Sequence, residues 1–370
     1  MAVLACQREQ EVALRTEVEQ DVLAQYLNLP ETPYPYSSTG LPGYLIGPLE
    51  AAQDNQPEDN LITDHGATLG RVLFYDKNLS LNNTISCASC HQQVLGFSDT
   101  ARFSVGLNGE LTHRHSMGLT NARYYTNGRF FWDERAATLE EQVLVPIEDP
   151  IEMDLALDSL EKRLSGLPYY PVLFYRAFGD STINQDRIAR AMAQFIRSIV
   201  SVDSKYDEGV LISGDPQKPF FNFTEEENLG KAIFHGSRGL NCSGCHGGHT
   251  FSADNPRSNG IISNDIGAYA VTGIEWQRGA FKAPSLKNIA VRPPYMHNGS
   301  MPSLEAVIEH YNSGLGISED FPLDLHLINN GQPIRMNLTE DDKQALLAFL
   351  HTLTDPVVLE SPMYSDPFPR

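Results

Sequence analysis

Two pentads, Cys87-Ala88-Ser89-Cys90-His91 and Cys242-Ser243-Gly244-Cys245-His246, bring the same three reactive side chains together twice. Two thiols one helical turn apart can each add to a vinyl group of a haem, and the histidine that follows then lies under the iron as proximal ligand. Four cysteines in two Cys-x-x-Cys pairs also suit one all-thiolate zinc site or two disulfides. A zinc ribbon, however, closes over a short loop and does not need a histidine after each pair. Here the pairs lie far apart and both are followed by histidine. The expectation is two covalently bound c-type haems, with His91 and His246 as iron ligands.

The elements that must position these residues form an internal repeat. Leu69-Gly70-Arg71-Val72-Leu73-Phe74 precedes the first pentad, and Leu229-Gly230-Lys231-Ala232-Ile233-Phe234 precedes the second. In each unit a short amphipathic helix leads through a polar loop to the cysteines, and the second helix opens on a capping box, Thr224 to Glu227. Each unit also ends in a helix. Residues 186–202 carry Ile188, Ala191, Met192, Phe195, Ile196 and Ile199 on one stripe, and residues 341–353, capped by Thr339, carry Leu346, Leu347, Phe349 and Leu350. Strand signals are sparse. The expected fold is mainly α, with two cytochrome c-like domains and long ligand-bearing loops, at 46–205 and 206–370, each holding one haem. Residues 1–45, helix-compatible over 9–27 and rich in proline and glycine over 29–43, read as an arm lying on the body.

A chain of 370 residues exceeds the usual size of one core. Its 41% hydrophobic and 20% charged residues exclude disorder and fibres, and no run of eighteen apolar residues exists to span a bilayer. A net charge of −20 repels nucleic acid and steers basic partners, such as a small positively charged electron carrier, toward the surface. The fifth cysteine, Cys6, follows Val3-Leu4-Ala5, which faintly resembles the end of a lipoprotein signal; the alternatives are a lipid anchor and a plain surface thiol. The stretch before it is too short for a secretory core. Covalent haem attachment is completed outside the cytoplasm, so the expected location is the periplasm.

Between the first pentad and its closing helix lies a long insert. It contains Phe130-Phe131-Trp132-Asp133-Glu134-Arg135-Ala136, then Leu139 to Pro146, then Glu148, Asp149 and Glu152. Sequence physics reads an aromatic cluster, a short helix and a proline-bounded loop of carboxylates. A carboxylate beside an open haem can serve as general acid/base for O–O cleavage; on spacing alone, each of these acids reads better as a solvated loop residue.

At this point the chain resembles the bacterial di-haem cytochrome c peroxidase superfamily, and within it the MauG-like branch. The likeness runs over about residues 60 to 355. It rests on residues 79–87, 131–136, 141–146, 150–153, Phe281-Lys282-Ala283-Pro284-Ser285-Leu286-Lys287-Asn288 and Pro294-Tyr295-Met296-His297-Asn298-Gly299. The resemblance implies that the first haem reacts with peroxide and that Gln142, Pro146 and Glu152 line its distal pocket, Glu152 being catalytic. It implies that Trp132 sits between the haems and relays electrons. It places Leu107 where activation-dependent peroxidases carry a capping histidine, so the first iron is expected to be open; His113 and His115, a few residues on, are alternative ligands. It places Tyr311 where typical peroxidases carry an axial methionine, with Met296, Met301, His297 and His310 as competitors. An anionic oxygen ligand favours high oxidation states. Calcium between the domains, near residues 282–284, is a further family expectation, although His115 falls where an asparagine ligand would stand. Trp276 reads as half-buried packing, or else as a surface relay residue.

The expected function is a periplasmic di-haem peroxidase that reduces hydrogen peroxide with electrons from a small cytochrome, a cupredoxin or a protein substrate. The alternatives are a MauG-like protein-modifying oxidase and a non-catalytic electron-transfer protein with both irons six-coordinate.

Overall fold

Helices carry the architecture. The computed structural model describes residues 17–369 apart from Thr39, Ile262, Ile317 and Glu319, and the one sheet among the described residues is the two-residue pair Ile328–Asn329 and Gln332–Pro333. Cys6 and the first part of the expected 9–27 helix lie outside the described residues; residues 17–26 are helical.

Two hydrophobic cores organise the chain. The first is built on α1 (Asp64–Tyr75), α2 (Leu139–Glu148) and α3 (Gln185–Ser198). The second is built on α4 (Glu225–Phe234), α5 (Leu304–Glu309) and α6 (Glu340–His351). Capping chemistry sets the starts. Thr63, Asn184, Thr224 and Thr339 each accept a hydrogen bond from a backbone N–H in the first turn, and the boxes Thr224 with Glu227 and Thr339 with Asp342 are both closed. The α3 stripe is buried as its spacing predicts, but the helix stops at Ser198, short of the expected 202. The physical reason is Asn121: its backbone N–H donates to the Ile199 carbonyl at 2.9 Å and its side-chain oxygen accepts from Ser201 N at 2.8 Å, which draws the chain out of the helix.

The sequence repeat is a repeat of packing. A β-carbon on Gly70 would lie 2.0 Å from the Ala191 carbonyl of α3, and one on Gly230 would lie 1.8 Å from the Ala345 carbonyl of α6. In both units the helix before the pentad therefore touches the closing helix backbone to backbone. The next residue is basic in each. Arg71 is buried and donates to Pro362 O at 2.7 Å, while Lys231 is buried and donates to Pro216 O at 3.0 Å.

The first and the last described segments both lie on the first core. Leu23, Leu27 and Tyr36 from the arm join it, and so do Val358 and Tyr364 from beyond α6. Residues 206–353 thus supply the second core, while the segment from Pro356 onward returns to the first through Arg71, Tyr36 and Tyr75. Under the second core Lys287 and Asp207 form a fully buried ion pair at 2.5 Å, to which Tyr44 adds a hydrogen bond at 2.9 Å.

Candidate haem pockets and active site

Each pentad folds as one tight turn. Cys87–Cys90 is a single α-turn capped by Ser86, Cys242–Gly244 is a 3-10 turn, and in both the histidine N–H donates to the first cysteine's carbonyl at 2.9 Å. The four thiols are free, and the pairs line separate cavities, Cys87 and Cys90 one and Cys242 and Cys245 the other. That separation removes the single four-thiolate site. Burial pushes Cys87 and Cys242 up to about 12 and Cys90 and Cys245 up to about 11, so all four are neutral thiols able to add to a vinyl group.

The geometry of both histidines suits an iron ligand. His91 Nδ1 lies 2.9 Å from the Phe97 carbonyl, an arrangement that assigns the proton to Nδ1 and leaves the Nε2 lone pair free. His246 is turned in the same way toward the Phe251 carbonyl, with its Nδ1 short of a full hydrogen bond. Burial lowers the pKa of both, that of His246 to about 4, which keeps the imidazoles neutral. Phe97 and Phe251 share an uncommon backbone, with φ of 60° and 53° in the left-handed region that bulky residues avoid. Strain of that kind persists where the surroundings impose it, and here it aims a carbonyl at each histidine. These features fit a haem bound at each pentad.

The first cavity, of about 440 Å³, is lined by Cys87, Cys90, His91, Gln142, Pro146 and Glu152 together. Gln142 and Pro146 sit one turn apart on α2, which puts them on one face. Beyond the helix, the Asp149 carboxylate accepts from Ile151 N at 2.9 Å and Glu152 N at 3.3 Å and so fixes the turn that delivers Glu152. Burial, and then the Asp149 charge, raise Glu152 to about 7 against the opposing effect of Arg135. Glu148 is exposed, the solvated acid its spacing suggested. Leu107 donates its N–H to the Ile151 and Glu152 carbonyls at 3.1 Å each, and the loop is pressed so close that a β-carbon on Gly106 would lie 1.8 Å from Ile151 O. Where the resemblance implies a capping histidine in activation-dependent relatives, this chain has Leu107, its N–H bonded to the Glu152 carbonyl. His113 lines the cavity from an exposed position, whereas His115 is buried with Nδ1 on the Ala101 carbonyl and Nε2 near Ser98 Oγ.

Trp132 lines both cavities. Its Nε1 donates to His115 O at 2.7 Å, its carbonyl accepts from Lys282 N at 2.8 Å, and its ring meets that of His297 edge-on at 6.5 Å. Arg114 ties the same wall together, pairing with Asp133 and Asp265 at 2.7 Å each.

The second cavity, of about 200 Å³, contains Cys242, Cys245, His246 and Tyr311. Tyr311 lies in a π-helical turn, His310–Gly314, a local underwinding that often marks functional positions. The competitors divide. His310 is held by its Nε2 on Asn259 O at 2.8 Å, and His297 stacks on Phe281 at 3.6 Å; Met301 does not line the cavity, whereas Met296 does, its sulfur accepting from Asn259 Nδ2 at 3.2 Å. Among the described residues one cluster has metal-ligand spacing, Cys245 with Asp324 and His326. Residues 282–284 are not part of it, and there the buried Lys282 side chain donates to Arg129 O at 3.0 Å. Trp276 is 59% exposed, more open than the packing role expected of it. Phe97, Phe251 and Asn259 were not anticipated. A trace existed for the first two, since Phe-Ser follows each pentad at nearly the same distance.

Comparisons with known proteins agree with this geometry. The sequence model described as "Di-haem cytochrome c peroxidase" matches residues 64–215. The methylamine utilization protein MauG of Methylophilus methylotrophus is 34% identical over 299 residues, 80% of this chain and 84% of that protein. Cytochrome c551 peroxidase of Nitrosomonas europaea is 31% identical over 298 residues, 78% of this chain and 79% of that protein. Among solved structures, a MauG-like protein associated with microbial copper homeostasis superposes with a TM-score of 0.75 at 32% identity, covering 89% of this chain and 99% of that one. With its paired Cys-x-x-Cys-His pentads and two helical cores, the chain belongs to the di-haem cytochrome c peroxidase and MauG family.

Proposed function

We propose that this protein is a peroxide-reducing di-haem enzyme of the periplasm, with two units, 46–205 and 206–370, that each bind one haem c. The observation that carries the reading is that Glu152, raised to about 7, shares a cavity with His91 while Trp132 lines that cavity and the next. Cys87 and Cys90, and Cys242 and Cys245, would form the thioethers; His91 and His246 would present Nε2. When bound, the haems supply the iron at which peroxide is reduced and the second centre that stores an oxidising equivalent.

The side chains do the rest. A Glu152 carboxylate oxygen takes the proton from one peroxide oxygen and returns it to the other, so that the leaving group departs as water. The Gln142 amide, one turn from Pro146, orients the peroxide with a hydrogen bond, and the Pro146 ring closes the wall without adding a donor. Trp132 offers an indole midway, so electrons cross in two short hops. Reducing equivalents come from a small basic cytochrome, a cupredoxin or a protein substrate, drawn by the acidic surface.

A second reading, peroxide-dependent oxidation of a partner protein, is favoured by Tyr311 in the second cavity. Bound as a phenolate, Tyr311 would favour the oxidised forms of a second haem over passing electrons on at high potential. Rapid mixing of the loaded protein with peroxide, then with reduced cytochrome c, separates the readings. Fast oxidation of the cytochrome supports peroxide removal, a long-lived oxidised state that ignores carriers supports protein oxidation, and no reaction with peroxide leaves the electron-transfer alternative.

A further inference from the structure

Tyr125 lines the first cavity and is 2% exposed. Its hydroxyl donates to Glu134 Oε1, and Glu134 Oε2 accepts from Asn127 Nδ2 at 2.6 Å. Glu134 is buried, with a left-handed φ of 60°, whereas Asn127 is exposed. A carboxylate therefore spans the distance from a buried phenol to the surface, held there by a backbone conformation that costs energy. Above the phenol ring stands the Lys282 amine, 3.8 Å from the ring centre. The peroxide chemistry proposed above uses none of these groups.

Their arrangement suits one chemistry. Burial, and then Glu134, push the Tyr125 phenol well above the ordinary tyrosine range, so it is protonated at rest. Electron loss with the proton retained would leave a cationic ring in a buried site, and an unpaired buried charge is costly. Loss of the proton to Glu134 removes that cost, and burial makes this carboxylate a stronger base than a solvated one.

We propose that Tyr125 is a proton-coupled redox residue: it gives one electron to an oxidant in the first cavity and its phenolic proton to Glu134. The proposal rests on the preceding reading for the source of the oxidant, peroxide reduction at that cavity. In the step the O–H bond breaks, the electron fills one of the two oxidising equivalents left by hydrogen peroxide, the proton forms an O–H bond on Glu134, and a neutral phenoxyl remains. One electron from the external donor and return of the proton restore the phenol.

The test is freeze-quench electron paramagnetic resonance on the haem-loaded protein, grown with ring-deuterated tyrosine. It is run in two arms, one with hydrogen peroxide and one with photogenerated tris(bipyridine)ruthenium(III). Variants are Tyr125→Phe, Glu134→Gln and Tyr170→Phe, the last removing another buried tyrosine–carboxylate pair, with Asp76, that lines neither cavity. Covalent haem content and the ferric spectrum establish that each variant is folded. The expected result is a deuterium-sensitive tyrosyl signal in the wild type and Tyr170→Phe, lost in Tyr125→Phe and lowered in Glu134→Gln. A signal that persists in Tyr125→Phe, or its absence from the wild type in both arms, overturns the proposal. The pattern found only with ruthenium upholds Tyr125 and refutes peroxide as the source of the oxidant.

Discussion

Trp132 and His115 are joined across the wall between the two cavities, the indole N–H donating to the His115 carbonyl at 2.7 Å. The bond fixes the Trp132 indole, which lines both cavities. Trp132→Phe keeps the aromatic filling but loses that bond and the easily oxidised ring. Stopped-flow spectra after peroxide should show the first centre reacting while oxidation of the second lags behind it. The lost hydrogen bond should lower stability by about 0.5–1.5 kcal/mol. Unchanged timing at the second centre would remove Trp132 from the path.

Glu152→Gln should slow the peroxide reaction by roughly 10² to 10⁴, the size of a lost acid/base contribution. The pH dependence has a definite sign. The active form is the carboxylate and the raised value is about 7, so the wild-type rate climbs as pH rises through about 7, and the variant's profile is flat there. Stability runs the other way: a raised carboxyl favours folding below its unfolded value, and this contribution is lost as pH rises through the folded value. A rate that falls across the same interval would contradict the assignment.

Gly70→Ala and Gly230→Ala should each destabilise by about 1–3 kcal/mol, because the added carbon meets a helix carbonyl that cannot retreat without separating the helices. Gly166→Ala is the control, since its backbone is right-handed and its nearest contact is 3.4 Å. Denaturant titration of the haem-loaded protein measures all three. Equal midpoints for Gly70→Ala and Gly166→Ala would refute the close crossing.

Tyr311→Phe should leave both haems covalently attached, by intact mass, while changing the ferric spectrum of the second one. An unaltered spectrum would point to Met296, which also lines that cavity.

Much of this was legible because it is local. The pentads, the caps at Thr224 and Thr339 and the α3 stripe depend on neighbours within a turn or two. The Gly70 and Gly230 repeat was visible as a pattern, but the reason for glycine lies in carbonyls more than a hundred residues away. The same distance hid the early end of α3, set by Asn121, and the return of residues after Pro356 to Arg71. The left-handed Phe97 and Phe251 run against their own preferences, so no propensity reveals them. Tyr125 and Glu134 are close in sequence, yet only the fold shows that the carboxylate faces the phenol.

The most direct test of the account is the ferric electron paramagnetic resonance spectrum of the haem-loaded protein before and after one equivalent of hydrogen peroxide. An iron open on the Glu152 face and a partner closed on both faces predict one high-spin and one low-spin signal in equal amount, both lost on mixing. Two low-spin signals that persist in peroxide would contradict it.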